Sequence, residues 1–158
     1  MIKIVIVNNF QENRINQLIQ RVFSKNFPTE ILVTHINNLK NVILGNNNLY
    51  VIYNSDDDSI NKIIKEIDCQ KIDFGFNDEA DFKVSDANIT NDAINFKLNF
   101  KGNSVPIWLK NDNHTNNADE IYNFLSIICA GNLLGLNIIE ISESLNGYTK
   151  VIIYGKNN

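Results

Sequence analysis

The sequence is short of the residues that mark specialised classes of protein. It has 2 cysteines, Cys69 and Cys129, far apart and without metal-ligand spacing. A disulfide framework and a cysteine metal cluster are therefore not expected; two free thiols in a reducing cytoplasm are. It has 2 prolines and 7 glycines, too few for a linker-like or fibrous chain. No apolar run reaches the ~20 residues that cross a bilayer. The opening, Met1 to Phe10, has a strand-length apolar run after a single lysine and no small-residue cleavage site, unlike a secretory signal. Positive charge is also scarce. Lys and Arg total 14 against 18 Asp and Glu, a net charge of -4. Nothing here attracts a phosphate backbone, so neither nucleic acid nor membrane is expected as a partner, and a cytoplasmic location is.

What is present is the composition of one globular domain, 44% hydrophobic and 20% charged over 158 residues. Asparagine and isoleucine are abundant, but the asparagines are interleaved with periodic apolar residues, which is not the pattern of a prion-like tract. Ile2 to Val7 is a near-continuous apolar run, the mark of a strand covered on both faces. Ile15, Leu18, Ile19, Val22 and Phe23 then recur at helical spacing, with Pro28 beyond the end. Glu30 to Thr34 reads as a second strand, Leu39 to Leu44 as a brief helix or turn ending in the loop Gly45 to Asn48, and Leu49 to Tyr53 as a third strand. Asp57 or Asp58 caps a helix with the stripe Ile60, Ile63, Ile64 and Ile67, and Lys71 to Phe74 is a fourth strand.

The pattern then changes. Lys83 to Ile89 reads as a strand. Ile94, Phe96, Leu98 and Phe100 alternate with polar residues, and after the turn Lys101 to Ser104 the alternation resumes at Val105, Ile107 and Leu109. Pro106 suggests an edge. Residues 81 to 110 thus form a small antiparallel meander. After the polar loop Asn111 to Asn117, Glu120 to Gly135 forms a long buried helix. Gly135 is its stop, and Ser126, Cys129, Ala130 and Gly131 allow close approach by another element. Ile138 to Leu145 is a second helix and Tyr148 to Tyr154 one more strand. The expected fold is α/β, a mainly parallel sheet flanked by helices with a small antiparallel β meander, in a single domain spanning 1–158.

Four pieces in this order resemble the central ATP-binding domain of the Mur ligase family. The family includes the peptidoglycan amino-acid ligases, folylpolyglutamate synthases and cyanophycin synthetases. Tyr50 to Asp57 is similar to its strand ending Asn-Ala-Asp-Asp, and Asp73-Phe74-Gly75 to its Thr-Phe-Gly. Ala80-Asp81 through Asn88-Ile89 and Phe96-Lys97-Leu98 are similar to its meander. Tyr122-Asn123 through Leu134-Gly135-Leu136 is similar to its long helix, followed by Ile141 to Leu145. The resemblance covers residues 49–145. It implies the fold and places Asn123 near where the family holds adenine, which makes Asn123 the one cofactor-binding candidate.

The front of the chain departs from that family. A phosphate loop needs glycines that let backbone N–H groups surround phosphate, a lysine for the outer phosphates and a hydroxyl for magnesium. The corresponding stretch, Val7 to Asn13, has none of these, and Glu12 would repel phosphate. The family's His-Asn is replaced by Asp119 and Glu120, its histidine after the second strand by Leu39 and Lys40, and the segment with its metal-binding glutamate is missing. The expectation is a Mur-ligase-like binding or regulatory protein, non-catalytic and linked to cell-wall peptide synthesis, with no catalytic or metal residues assigned and no cofactor. The alternative is an ATP- and magnesium-dependent carboxylate–amine ligase component completed by a separate chain. A protein partner or self-association near Trp108 is a further expectation. Trp108 reads equally as an exposed anchor or a buried edge residue. Asp56, Asp57 and Asp58 read as a capped, solvated helix start in preference to a magnesium site. His35 has no evident nucleophile or orienting acid, and His114 lies in an exposed loop.

Overall fold

The computed structural model describes residues 3–24, 30–44, 46 and 48–147. Seven strands form one sheet: β1 (Lys3–Asn8), β2 (Glu30–His35), β3 (Leu49–Asn54), β4 (Gln70–Gly75), β5 (Phe82–Ile89), β6 (Ala93–Phe100) and β7 (Asn103–Lys110). Their spatial order is β2-β1-β3-β4-β5-β6-β7. The pairings from β2 through β5 are parallel, and β5–β6 and β6–β7 are antiparallel. Five helices accompany the sheet: α1 (Glu12–Val22), α2 (Leu39–Ile43), α3 (Asp58–Ile64), α4 (Asp119–Leu133) and α5 (Ile138–Leu145). This is the expected mainly parallel α/β sheet with an antiparallel meander. The strand expected over Tyr148 to Tyr154 lies outside the described residues, as does Ile2.

The apolar run of β1 is explained by its place in the middle of the sheet. Ile4 and Ile6 face one core with Ile15 and Leu18 of α1 and Leu125 and Ile128 of α4. Val5 and Val7 face a second core with Leu39 of α2 and Ile60 and Ile64 of α3. A strand sandwiched in this way has no face left for polar residues. The meander is covered on one side only. Val84, Leu98, Ile107 and Leu109 are buried, whereas Lys97, Pro106 and Trp108 are exposed. Trp108 is thus an exposed residue of an edge strand.

The end of β7 is blocked. Asn146, just past α5, accepts from the Lys110 backbone N–H at 2.7 Å and donates to the Trp108 carbonyl at 3.1 Å. Its amide thus takes up two backbone groups of this strand that would face a neighbouring strand, and Pro106 supplies no N–H of its own. Gly135 adopts φ +84 after α4, as expected of a helix stop. Gly131 is the point of close approach: a Cβ there would meet Ile141 Cδ1 of α5 at 2.5 Å.

Candidate functional site

The connections leaving the carboxyl ends of β1 and β3 pass to opposite faces of the sheet. After β1 the chain enters α1 in one core, and after β3 it enters α3 in the other. Neighbouring strands whose connections diverge leave a crevice between them, the usual ligand position in open α/β sheets. A cavity of about 450 Å³ lies there. Its lining includes Asn8, Gln11, Asn54, Asp56, Tyr122 and Asn123.

The β1–α1 loop is closed by its own side chains. Asn8 is buried; its Nδ2 donates to the Thr34 carbonyl at 2.9 Å, and its Oδ1 accepts from the Gln11 N–H at 3.1 Å. An N–H that a phosphate loop would leave free is thereby occupied. Phe10 follows with φ +67 and is 84% exposed, its ring centroid 4.9 Å from that of His35. His35 is committed to structure. Its Nδ1 accepts from the Asn37 N–H at 3.2 Å, starting a short 3-10 turn, and its Nε2 lies 3.2 Å from Asn9 Oδ1. Among the described residues its hydrogen-bond partners are Asn9 and Asn37, neither an acid nor a nucleophile, so it is not placed as a general base. His114 is exposed, as expected, with Nδ1 2.9 Å from the Asn91 carbonyl oxygen.

The three consecutive aspartates have three different roles. Asp57 is the helix cap: its Oδ1 accepts from the N–H groups of Ser59 at 2.9 Å and Ile60 at 3.2 Å. Asp58 is exposed on the first turn of α3. Asp56 is half-buried and is not a cap. Its Oδ2 accepts from the Phe76 N–H at 2.7 Å and the Tyr122 hydroxyl at 2.8 Å; its Oδ1 accepts from the N–H of Asn77 at 3.2 Å and its Nδ2 at 2.8 Å. Burial by itself would raise this carboxyl, but these hydrogen bonds outweigh it and hold the carboxyl below its ordinary range. Burial first, and then the contact with Asp56, pushes the Tyr122 hydroxyl well above its usual value. Asp56 therefore ties three segments together: the β3–α3 loop, the end of β4 and α4. Reading the whole run as a solvated helix start is corrected at Asp56, whose partners lie 20 to 66 residues away.

Beside the cavity lies a buried ion pair. Glu120, 2% exposed, receives Arg14 Nη2 at 2.9 Å and Nε at 3.1 Å. Asn123 joins it, its Nδ2 donating to Gln11 Oε1 at 3.1 Å and Glu120 Oε1 at 3.3 Å. Asn123, the cofactor-binding candidate, thus lines the cavity and bonds to the side chains of Gln11 and Glu120. Glu120 and Asn123 share a helix face at i, i+3, which was the available sequence signal. Nothing local to Arg14 announced its partner. Among the described residues the cavity lining includes no lysine or arginine, while Asp56, Asp57, Asp58 and Asp119 contribute carboxylates. A polyphosphate would find no positive charge in that lining, and the one guanidinium nearby is neutralised by Glu120. Among the described residues, no three His, Cys, Asp or Glu side chains converge as a metal site, and no helix is long and apolar enough to cross a membrane.

Comparison with known proteins gives a consistent picture of the fold. No family model matches the chain. The chain is 31% identical over 98 residues to a UDP-N-acetylmuramate--L-alanine ligase of a Sulfurihydrogenibium species, an alignment covering 60% of this chain and 19% of that protein. A solved UDP-N-acetylmuramoyl-L-alanyl-D-glutamate--2,6-diaminopimelate ligase superposes with TM-score 0.70 at 10% identity, over 97% of this chain and 47% of that one. MurF from Acinetobacter baumannii gives 0.60 at 11% identity over 99% and 48%. MurF from Thermotoga maritima, solved in complex with ADP, gives 0.62 at 9% identity over 89% and 48%. The chain thus spans about a fifth of the curated relative and about half of these solved structures. Its fold is that of a Mur ligase central domain, as the resemblance over residues 49–145 implied.

Proposed function

We propose that this chain is a non-catalytic Mur-ligase-like binding protein connected with cell-wall peptide synthesis. The connection draws on its likeness to a muramate–alanine ligase and on the fold it shares with two further enzymes of that kind. The non-catalytic part draws on one observation above all. Arg14, at the start of α1, is held by the buried carboxylate of Glu120, beside a cavity whose described lining includes carboxylates and carboxamides but no lysine or arginine. Phosphoryl chemistry depends on cations placed against the transferred group. On this reading neither ATP nor magnesium is a cofactor, and the chain acts through binding.

Isothermal titration with magnesium-ATP and with ADP, repeated on Asn123→Ala, tests this. The expected result is no saturable heat at high nucleotide concentration. Tight binding that disappears in the variant would overturn the proposal. It would favour an ATP-dependent carboxylate–amine ligase component working with a separate chain, which a magnesium-dependent ATPase signal on adding that chain would reveal.

A further inference from the structure

We infer that the chain has a second binding site, a cavity beside the β6–β7 turn that takes a small apolar carboxylate, with its hydrocarbon body against Phe82, Phe100 and Leu133 and its charge on Lys101. The cavity is about 370 Å³ and reaches Asn132 and Leu133, at the opposite end of α4 from the β1–β3 crevice. Its apolar lining comes from four elements: Ile72 of β4, Phe82 of β5, Phe100 of β6 and Leu133 of α4. Phe82 and Phe100 stack, with ring centroids 5.1 Å apart and planes 10° apart. Ile72, Phe100 and Leu133 are only half-buried, so core packing leaves apolar surface facing the cavity.

Lys101 stands where the turn does not favour it. Lys101 has φ +49 and Gly102 φ +77, two consecutive left-handed residues between antiparallel strands, as in a type I′ turn. Such a turn favours asparagine followed by glycine. Gly102 meets that preference, whereas a lysine in the left-handed region is strained backbone. No contact within the protein compensates. Among the described residues Lys101 has no ion pair and its ammonium no hydrogen bond, while Lys83 and Lys97 are paired with Asp78 and Asp86. What the lysine gains there is a place in the cavity lining. Asn132 adds a carboxamide whose N–H groups donate to no described residue, a second donor in the same lining. Asp81 limits the charge that fits. Its Oδ2 accepts from the Asp73 N–H at 3.2 Å, and it is not paired with Lys101. One ammonium beside one carboxylate suits a single negative charge, and a dianion such as a phosphate monoester would be left under-neutralised. The apolar walls in turn favour a ligand with a hydrocarbon body over a small hydrophilic anion.

Backbone amide NMR during titration with sodium 3-phenylpropionate is the test, with 3-phenylpropanamide as the neutral control and sodium propionate as the control without a ring. Saturable shifts at Phe82, Phe100, Lys101 and Leu133 are expected, with both controls binding more weakly. Lys101→Asn restores the residue the turn favours. It should unfold at no lower temperature than the parent chain and bind phenylpropionate about fivefold more weakly, the factor an exposed ion pair supplies. Lys62→Gln, the same loss of charge at an exposed position of α3, should leave binding unchanged. Equal affinity for either control, shifts that do not saturate, full affinity in Lys101→Asn or an equal weakening in Lys62→Gln would each overturn the inference. A lower unfolding temperature in Lys101→Asn would also overturn it, by making the lysine a turn residue. Nucleotide titration at the β1–β3 crevice is a separate measurement, and either result there leaves this site unaffected.

Discussion

Gly75 and Asp56 are fitted to each other: a Cβ built on Gly75 would stand 2.6 Å from Asp56 Oδ1 and 2.8 Å from its Cγ. Gly75 is not in the left-handed region, so what the site requires of it is space and not a special backbone conformation. Gly75→Ala should drive the carboxylate off the N–H groups of Phe76 and Asn77. The expected loss is about 0.5–1.5 kcal/mol, the net worth of a hydrogen bond between half-buried groups. Urea unfolding of the variant measures it. A companion Asp56→Asn variant should show a similar loss, and the double variant should lose much less than the sum.

The Arg14–Glu120 pair makes an asymmetric prediction. Glu120→Ala leaves a guanidinium that is 12% exposed without its carboxylate, an outcome that typically costs about 3–5 kcal/mol. Replacing both partners with Arg14→Met and Glu120→Leu should recover most of that stability. Chemical denaturation of the parent chain and the two variants decides the matter. A single variant as stable as the double one would show that the pair contributes nothing.

Two carboxylates should give the stability–pH curve opposing slopes. Asp56 is held below its ordinary value in the folded state, so the stability it contributes is present above the unfolded value and is lost as pH falls through the folded one. Asp81 is shifted the other way, first by burial and then by Asp73, with each backbone N–H donating to the other's carboxylate. Its contribution is present below the unfolded value and is lost as pH rises through the raised folded one. Thermal unfolding from acid to neutral pH should therefore show Asp56→Asn losing acid sensitivity. Asp81→Asn should be relieved of a penalty that is greatest at neutral pH.

Asn146 shields the exposed edge. Asn146→Ala removes the group that accepts from the Lys110 N–H and caps the Trp108 carbonyl, beside an indole that is 49% exposed. Sedimentation velocity should show self-association at concentrations where the parent chain shows less, because an opened edge pairs readily. Adding Trp108→Lys should suppress it.

Much of the fold was legible because it depends on local period. β1 and β3 read as continuous apolar runs because both their faces are covered, and β6 alternates because only one is. The site was less legible because it is built from distant partners. Asp56 looked like its neighbours Asp57 and Asp58, and only the tertiary positions of Phe76, Asn77 and Tyr122 set it apart. Nothing near Glu120 in the sequence pointed to Arg14, 106 residues earlier, as its partner. Phe10 gave no hint of its φ of +67, which follows from the Asn8 side chain holding the loop closed.

The switch from parallel to antiparallel pairing at β5 has a consequence for how the chain assembles. β6 and β7 are joined by a two-residue turn at Lys101–Gly102, so their ladder closes over a few residues. β1 pairs with β3, Lys3 opposite Leu49, only after a strand and two helices have been laid down between them. Loop closure delays distant pairings more than near ones. The meander is therefore the natural nucleus, with the parallel half condensing onto it. In pulse-labelled exchange during refolding, the amides shared by β6 and β7 should gain protection before those shared by β1 and β3.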